Sequence, residues 1–208
     1  MSGGRPRDPA IDAALLTATV AVLRESGYAG FAVEKVAARA GTTKAAIRRR
    51  WPARQRLVID ALATLLATPP APDNGCTRCD LIESVQLLAE VLHDRLPRGV
   101  LAPLIADCAA DAGLHEHLLA VLVAPSRQAA TIAVRRAADR GDLRADVDPG
   151  LLVDMLASVV YQRALFGEAP IGRSSARPLV DVVLRGVAVD FDRLVMVSEQ
   201  PADRRHQH

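Results

Sequence analysis

The sequence is poor in aromatic residues, cysteine and lysine. Only 3% of its 208 residues are aromatic, three are cysteines, and Lys35 and Lys44 are the only lysines. Few cysteines, and an odd number of them, argue against a disulfide scaffold and are typical of proteins of the reducing cytoplasm. No run of about 18 apolar residues is present, so we expect no membrane-spanning helix. Because the N-terminal residues include no apolar run, we expect no secretory signal either.

The motifs of catalysis are also lacking. Gly-rich phosphate loops and paired carboxylates at a defined spacing are not found, and the segment GLHEHLL (113–119) is not the H-E-x-x-H helix of zinc proteases. Ser126, Ser158 and Ser174 have no motif around them that would make a nucleophile. We therefore expect that the protein is not an enzyme.

Cysteine and histidine offer no complete metal site. Cys76 and Cys79 have the spacing of metal ligands, but a tetrahedral zinc site needs four ligands and no second pair follows. His115 and His117 lie two residues apart, so on a helix they point in different directions. We expect no metal and no cofactor. Cysteines at a helix start can be redox-active, so thiol sensing by Cys76 and Cys79 stays open beside the simpler interpretation as incidental loop cysteines.

Charge is unevenly distributed along the chain. Residues 1–60 carry 11 Lys and Arg against 5 Asp and Glu, a net charge of +6, whereas residues 61–208 carry 15 against 19, a net charge of −4. A basic first third on a mildly acidic remainder indicates a polyanion-binding head on a body with another role. The 24 arginines, together with abundant alanine, are typical of a GC-rich bacterial genome.

Hydrophobic periodicity predicts an all-α fold. Gly27 and Gly41 are expected to end helices, and Pro125 to kink or split one. The predicted helices span residues 9–26, 33–40, 44–50, 53–67, 77–95, 99–112, 114–140, 149–167 and 175–194. We predict a helix-turn-helix DNA-binding domain over 1–60, a helical effector-binding and dimerisation domain over 61–198, and a disordered tail over 199–208.

Residues 33–51 have the pattern of a helix, a glycine turn and a second, basic helix. The segment TTKAAIRRRW (42–51) begins with Thr43 as a helix N-cap, has small side chains that allow close approach to base edges, and has Ile47 as an anchor. Three arginines in a row are often only a solvated helix face, but the turn, the small residues and the charge asymmetry together favour DNA binding. The candidate DNA contacts here are Thr42, Thr43, Lys44, Ala45, Ala46, Arg48, Arg49 and Arg50.

The head resembles that of the tetracycline-repressor (TetR) family of bacterial regulators. The match spans about residues 14–62 and includes VEKVAARAGTTKAAIRRRWPARQRLV (33–58), with the RRWP-type recognition helix. The segment 124–156 resembles the ligand-domain pattern seen with such heads. The resemblance implies a homodimer in which each chain has a three-helix head on palindromic double-stranded DNA and a helical body that binds a small molecule.

The head departs from the family pattern at several DNA-facing positions. Ala32 stands where the family usually has a capping Thr or Ser, Arg48 replaces a common Tyr, and Ala46 replaces a small Thr. Arg54 replaces the phosphate-contacting Lys after the proline, at a helix start that favours phosphate. These changes concern which operator is read more than DNA binding itself.

Four head residues complete the predictions. Lys35 and Arg54 are expected to contact DNA, and Tyr28 is expected mainly to pack, with its hydroxyl within reach of a phosphate. Trp51, at the end of the recognition helix, is expected to pack in the core of the head.

The body is expected to contain an aliphatic pocket, because half of the six aromatic residues lie in the head. Such a pocket suits an apolar or lipid-like effector. Each candidate lining residue is more often ordinary core than a ligand contact; the candidates are Leu88, Leu92, Leu104, Cys108, Leu118, Leu122, Met155, Val159, Gln162 and Phe166.

Two helical segments are apolar on more than one side. They are LLVDMLASVVYQRALF (151–166) and LVDVVLRGVAVDF (179–191). A second copy of the chain would cover the surplus apolar surface, although both helices could instead be central in a monomer. Val183 and Val187 lie four residues apart on one face and are our predicted interface residues.

The sequence favours a cytoplasmic repressor that leaves a palindromic operator when a small apolar effector binds. Two alternatives stay open: an effector-independent architectural DNA-binding protein, and a thiol-based redox-sensing regulator.

Overall fold

The structure is a computed structural model that describes residues 9–66 and 70–200. Its α-helices are α1 (Pro9–Ser26), α2 (Val33–Arg39), α3 (Lys44–Arg50), α4 (Arg54–Ala63), α5 (Thr77–Glu90), α6 (Leu101–Cys108), α7 (Ala112–Leu118), α8 (Ala124–Asp139), α9 (Pro149–Phe166), α10 (Arg173–Val187) and α11 (Phe191–Glu199). The described residues form no β-strand, only an isolated bridge between Leu143 and Ala188. The all-α prediction is therefore confirmed.

Two predicted helices break where a side chain can start a new one. The stretch predicted as helix 175–194 ends at Val187, and Asp190 caps α11 by accepting a hydrogen bond from the backbone N–H of Arg193. In the same way Asp111 caps α7 through the N–H of Leu114, so the predicted helix 99–112 ends at Cys108. Aspartate competes well for free helix N–H groups, which periodicity alone does not reveal.

The chain divides into two compact units that are not consecutive in sequence. Of the described residues, 9–66 and 96–122 belong to the first unit, which holds α1–α4, α6 and α7. Residues 70–95 and 123–200 belong to the second unit, which holds α5 and α8–α11. The boundary predicted at residue 60 is thus not where the compact units divide. Helices α6 and α7 belong to the first unit because both contact α4.

Each unit has its own apolar core. In the first unit Leu15, Val36, Ile47, Leu57 and Leu62 are at most 1% exposed. The core of the second unit is built from α5, α8, α9, α10 and α11; its least exposed large side chains are Leu81, Val134, Leu152, Val180 and Leu184.

Two short π-helical segments interrupt the α-helical pattern. They span Val91–Arg95, directly after α5, and Leu119–Val123, between α7 and α8. The second segment is followed directly by α8, which has Pro125 in its first turn. The helix predicted over 114–140 is therefore interrupted next to this proline, as expected. The first segment ends at Arg95, the last residue before the chain passes into the first unit. The second segment ends at Val123, the first residue after the chain has returned to the second unit.

The helical run Ala112–Asp139 is long and apolar enough to cross a membrane by length and composition, with a mean hydropathy of 1.3 over its best window. A single run of this kind does not assign a membrane segment, because core helices of globular proteins meet the same criterion.

Candidate functional site

Helices α2 and α3 form the predicted helix-turn-helix. Gly41, between them, has a φ of +62°, a conformation that side chains other than glycine rarely adopt. Thr43 caps α3, its Oγ1 accepting from the N–H of Ala46 over 3.2 Å. Ile47 is 1% exposed and fixes α3 on the core, whereas Ala32 gives α2 no side-chain cap. The buried side of α3 is thereby defined, and so is the side that faces away.

The outward face of α3 carries two unengaged guanidinium groups. Ala45, Arg48 and Arg49 are exposed, as is Thr43 just before the helix, while Thr42, Lys44 and Ala46 are partly exposed. Within residues 9–66 and 70–200, neither Arg48 nor Arg49 has a hydrogen-bond or ion-pair partner. These two cations are free to meet an external anion.

The other two basic residues of α3 are paired with carboxylates of the protein itself. The Arg50 guanidinium pairs with Asp12 over 2.6 Å, and both side chains are at most 30% exposed. The Lys44 ammonium pairs with Glu34 of α2. The hydrogen bond from Lys44 is the largest cause that lowers the pKa of Glu34. A phosphate would have to compete with a carboxylate for either cation, so these two are poorer candidate contacts than Arg48 and Arg49.

Lys35 also has partners within its own unit. Its ammonium group donates to the carbonyl of Gly30 over 3.0 Å and to the hydroxyl of Ser26 over 3.2 Å. It is exposed, so it keeps its charge near the surface.

Tyr28 and Arg54 meet at Asp107 of α6. The Tyr28 hydroxyl donates to Oδ2 of Asp107 over 2.6 Å, and Arg54 donates to the same oxygen over 3.0 Å while its guanidinium lies 5.1 Å from the centre of the Tyr28 ring. Gln55 is a third donor to that oxygen. This corrects the expectation that the Tyr28 hydroxyl is within reach of a phosphate: the carboxylate of Asp107 already binds it, and Tyr28 is 5% exposed.

This cluster shifts the pKa of both hydrogen-bonded acids. The hydrogen bond from Tyr28, followed by that from Arg54, lowers the pKa of Asp107. Burial, followed by the hydrogen bond to Asp107, raises the pKa of Tyr28. Asp107 is therefore held as an anion that ties α6 to Tyr28, just after α1, and to the start of α4.

A second carboxylate links α4 to α7. Asp60 accepts from the indole N–H of Trp51 over 2.7 Å, and its other oxygen lies 2.6 Å from Nε2 of His117. Trp51 is 8% exposed and packs in the head, as expected. Helices α6 and α7 are thus joined to the DNA-binding motif through two aspartates that sequence reasoning did not single out.

The second unit contains an apolar cavity between α5, α8 and α9. It is lined mainly by aliphatic side chains: Pro70, Pro72, Leu81, Val85, Leu87, Leu88, Val91, Val123, Ala129, Ala130, Val134, Val153, Leu156 and Ala157. Residues of both π-helical segments, Val91 and Val123, are part of this wall. The cavity therefore has the aliphatic character that the scarcity of aromatic residues predicts.

A few polar groups face the same cavity. Arg127 and Asp154 form a two-point ion pair, with N–O distances of 2.8 and 2.9 Å, and Arg127 lowers the pKa of Asp154. Ser84, Ser126 and Tyr161 also line it. Burial raises the pKa of Tyr161, whose hydroxyl has no hydrogen-bond partner in the described part of the chain. These groups could orient the polar end of a mostly apolar molecule.

The structure brings together few of the predicted lining residues. Leu88 lines this cavity, Leu92 lines a smaller one beside Ile171, and Val159 packs against the core of the unit. The buried residues Leu104, Cys108, Leu118 and Leu122 lie in the first unit instead. Met155, Gln162 and Phe166 are exposed on the outer side of α9, Phe166 to 79%. Because α9 is apolar all round, periodicity could not tell which side faces inward.

The role of the predicted interface residues, Val183 and Val187, in a dimer contact stays a prediction. Val183 and Val187 pack against the core of their own unit. The neighbouring Val182 on α10 is 71% exposed, and Val189, two residues after the end of α10, is 64% exposed. These two residues and the exposed apolar residues of α9 make up what we call the outer stripe, consisting of Leu151, Met155, Leu165, Phe166, Val182 and Val189.

The cysteines depart from the expectation of reduced, unconnected thiols. Cys76 and Cys79 are joined by a disulfide, and Cys108 is unbonded and buried. Among the described residues, no group of three or more His, Cys, Asp or Glu could hold a metal ion.

A helix-turn-helix with an outward cationic face, linked in one chain to a helical unit with an apolar cavity, is the architecture of a DNA-binding regulator. Family models agree. Residues 15–61 match the model described as bacterial regulatory proteins, tetR family, and residues 71–183 match the tetracyclin repressor-like C-terminal domain. The chain belongs to the TetR family and is a DNA-binding transcriptional regulator.

Relatives extend over most of the chain. The chain is 31% identical over 174 residues to the DNA-binding transcriptional repressor TetR of Mycobacteroides abscessus, covering 83% of this chain and 90% of that protein. It is 29% identical over 185 residues to the uncharacterized HTH-type transcriptional regulator YdeS of Bacillus subtilis, covering 88% and 93%. The crystal structure of the TetR family transcription regulator SCO0332 matches with a TM-score of 0.65 and 31% identity, covering 85% and 98%.

Proposed function

We propose that this chain is a cytoplasmic homodimeric repressor that binds a palindromic operator and leaves it when a small apolar molecule occupies the cavity of the second unit. The observation that carries the DNA-binding part is the outward face of α3, where Arg48 and Arg49 are exposed and unengaged while Lys44 and Arg50 pair within the protein.

Small side chains beside these arginines let α3 approach a major groove closely. Ala45 is exposed next to Arg48, so no bulky group keeps the backbone from the base edges. Arginine can donate two hydrogen bonds to a guanine or a single charged contact to a phosphate. We expect one of the two arginines to read a base and the other to fix the register on the backbone.

Dimerisation is supported by the outer stripe. Six large apolar side chains on α9, on α10 and just after α10 are between 37% and 79% exposed, and exposed apolar surface of this kind favours association. A twofold interface uses the same patch on both subunits. It would present two recognition helices to half-sites one helical turn apart, which accounts for a palindromic operator.

An effector of largely aliphatic character fits the cavity. The wall offers mostly CH groups, and the Arg127–Asp154 pair and the Tyr161 hydroxyl could receive one polar or acidic end. An acidic group would compete with Asp154 for Arg127, whose side chain is 47% exposed. Apolar acids are therefore our preferred effector class.

The coupling between effector and DNA would use the π-helical segments. Val91 and Val123 line the cavity, and each lies in a segment at or next to a passage of the chain into the first unit. A π-helical turn contains one residue more than an α-helical turn, so a ligand that changes its winding shifts the helix that follows. Beyond these passages α6 and α7 reach the motif through Asp107 and Asp60.

The DNA-binding proposal is tested by selecting bound sequences from a pool of random DNA duplexes and then footprinting the protein on the most enriched sequence. We expect a protected site with dyad symmetry, much tighter than random DNA, and an affinity that falls steeply with salt. Equal affinity for selected and random DNA would overturn the proposal and favour an architectural protein. A footprint without dyad symmetry would overturn the dimeric arrangement.

A further inference from the structure

Cys76 and Cys79 occupy the two positions that close the start of α5. Cys76 is the N-cap, and its Sγ accepts from the N–H of Cys79 over 3.2 Å. In a capping box, the N-cap residue and the third residue of the helix satisfy each other's free N–H groups with polar side chains. Here both positions are cysteines, and a disulfide joins them.

The two sulfurs differ in accessibility. Cys76 is 2% exposed, whereas Cys79 is partly exposed. An incoming thiolate can therefore attack the sulfur of Cys79, and the sulfur of Cys76 is the leaving group. That thiolate would be stabilised by the N–H of Cys79 and by the helix start, which favours negative charge.

The turn that this disulfide closes is tied to two other elements of the same unit. The Thr77 hydroxyl donates to Asp142 over 2.6 Å and accepts from Arg140 over 2.7 Å. Both partners lie in the connection between α8 and α9. Arg78 binds both oxygens of Asp181 on α10, over 2.6 and 2.9 Å.

The same turn also continues into the cavity wall. Thr77, Arg78 and Asp80 are all at most 7% exposed, and the next residue, Leu81, lines the cavity. Asp181 immediately precedes Val182 of the outer stripe. A change in the order of this turn therefore reaches both the cavity and the proposed dimer face.

We infer that Cys76 and Cys79 form a reversible dithiol–disulfide site that sets the order of the first turn of α5, and, resting on the proposed function, that its oxidation state modulates operator binding. Intracellular disulfides are commonly transient and redox-sensing rather than structural. The pair is local, so it can open and close without unfolding the unit.

The chemistry balances with two classes of reagent. One thiolate of a dithiol reductant attacks the sulfur of Cys79, giving a mixed disulfide and the Cys76 thiolate. The second thiol of the reductant then attacks the reductant sulfur of that mixed disulfide, which releases the Cys79 thiolate and the oxidised, cyclic reductant. A hydroperoxide reverses this. The Cys79 thiolate attacks the O–O bond to give a sulfenic acid and an alcohol or water, and the Cys76 thiolate then forms the disulfide and expels hydroxide, which is protonated to water.

The site itself is tested on the full-length protein with hydrogen peroxide and dithiothreitol. Maleimide labelling after denaturation, read by mass spectrometry, should give one label for the oxidised chain and three for the reduced chain. We expect the oxidised form to unfold about 4–8 °C higher, because the link constrains the unfolded chain, and to exchange the amide hydrogens of residues 77–81 more slowly.

Two variants give matched controls. Cys76→Ser with Cys79→Ser retains a capping side chain and should not respond to either reagent. Cys108→Ser removes the buried, unbonded cysteine and should respond like the natural chain. Oxidation that yields only linked dimers or sulfinic acid, or equal amide exchange in both forms, would overturn the site.

Operator binding separates this inference from the proposed function. With a DNA site selected as above, we expect at least a threefold difference in Kd between the oxidised and reduced forms, lost in the double serine variant. Tight but equal binding by both forms would overturn the regulatory role and leave the repressor proposal intact. If neither form prefers any selected DNA, the proposed function fails together with that role, while the label count and amide exchange still decide the dithiol–disulfide site.

Discussion

The hydroxyl of Tyr28 donates a 2.6 Å hydrogen bond to Oδ2 of Asp107, 79 residues further along the chain. Tyr28 follows α1 of the DNA-binding motif, and Asp107 belongs to α6, so this bond makes α6 part of the head. Because Arg54 and Gln55 donate to the same oxygen, the carboxylate holds the start of α4 as well. A displacement of α6 would therefore move or break the hydrogen bonds that Asp107 accepts from Tyr28, Arg54 and Gln55.

Replacing Asp107 with Asn should lower the free energy of unfolding at pH 7 by about 1–2 kcal/mol, since three donors lose a charged acceptor at a site that is 35% exposed. The pKa of Asp107 is lowered in the folded protein, so its stabilisation is fully present above its ordinary value of 3.8 and is lost as the pH falls through the folded value. The difference between the two proteins should therefore shrink as the pH falls below 3.8.

Urea unfolding from pH 3 to pH 7 measures this difference. Asp139→Asn, on the exposed surface of α8, is the control and should have little effect. A destabilisation by Asp107→Asn that is the same at pH 3 and pH 7 would show that packing, and not the charge, is responsible.

Arg48→Ala should weaken operator binding, because this guanidinium has no partner in the described structure. If Arg48 reads a guanine, the loss is about 1–3 kcal/mol and the preference at one base position relaxes. If it contacts only a phosphate, the loss is uniform and the slope of log K against log salt shrinks by about one. Titrations of selected and mutated duplexes at several salt concentrations distinguish the two cases.

Arg173→Ala removes the same charge outside the motif and is the matched control. Arg50→Ala should mainly destabilise the head, because Arg50 is paired with Asp12. Unchanged affinity and unchanged salt slope for Arg48→Ala would exclude Arg48 from the interface.

Val182→Asp and Val183→Asp should have different consequences although the two residues are adjacent. Val182 is 71% exposed, so the aspartate should leave the fold intact and abolish the dimer, together with most operator binding. Val183 is partly buried against the core of its unit, so an unpaired carboxylate there should destabilise the fold itself by about 1–3 kcal/mol.

Light scattering and circular dichroism on both variants test this contrast. A folded Val182→Asp protein that remains dimeric would show that the outer stripe is not the interface.

Ala130→Phe should block the cavity, because Ala130 lies on its wall. With dodecanoic acid and dodecanol as probes, we expect the natural chain to gain thermal stability, by about 2.7 kcal/mol at a hundredfold excess over Kd, and the acid to act at lower concentration than the alcohol. The variant should gain nothing from either compound.

Ala138→Phe is the control for this experiment, since Ala138 is on the same helix but exposed. A full stability gain in Ala130→Phe would place the binding of these compounds elsewhere.

The sequence was sufficient for the fold class and the DNA-binding motif because both depend on local signals. Helix periodicity, the Gly41 turn and the Thr43 cap are properties of neighbouring residues, and Ile47 alone defines the buried side of α3. The outward position of Arg48 follows from it by helix geometry.

What the sequence could not give depends on tertiary contacts. Asp107 and Asp60 are ordinary surface aspartates until α6 and α7 fold back on α4. The inner side of α9 was also undetermined, because Met155 and Tyr161 lie on a helix that is apolar in every direction. The disulfide between Cys76 and Cys79 likewise required the N-cap geometry of α5.

The outer stripe lies on the unit that does not contain α3. A subunit whose head is disabled, for instance by loss of Arg48 and Arg49, would keep this stripe and still pair with intact subunits. In a cell that makes both forms, mixed dimers would carry one working head and would sequester normal subunits away from the operator. Such alleles should therefore be genetically dominant, whereas alleles that disrupt Val182 should be recessive.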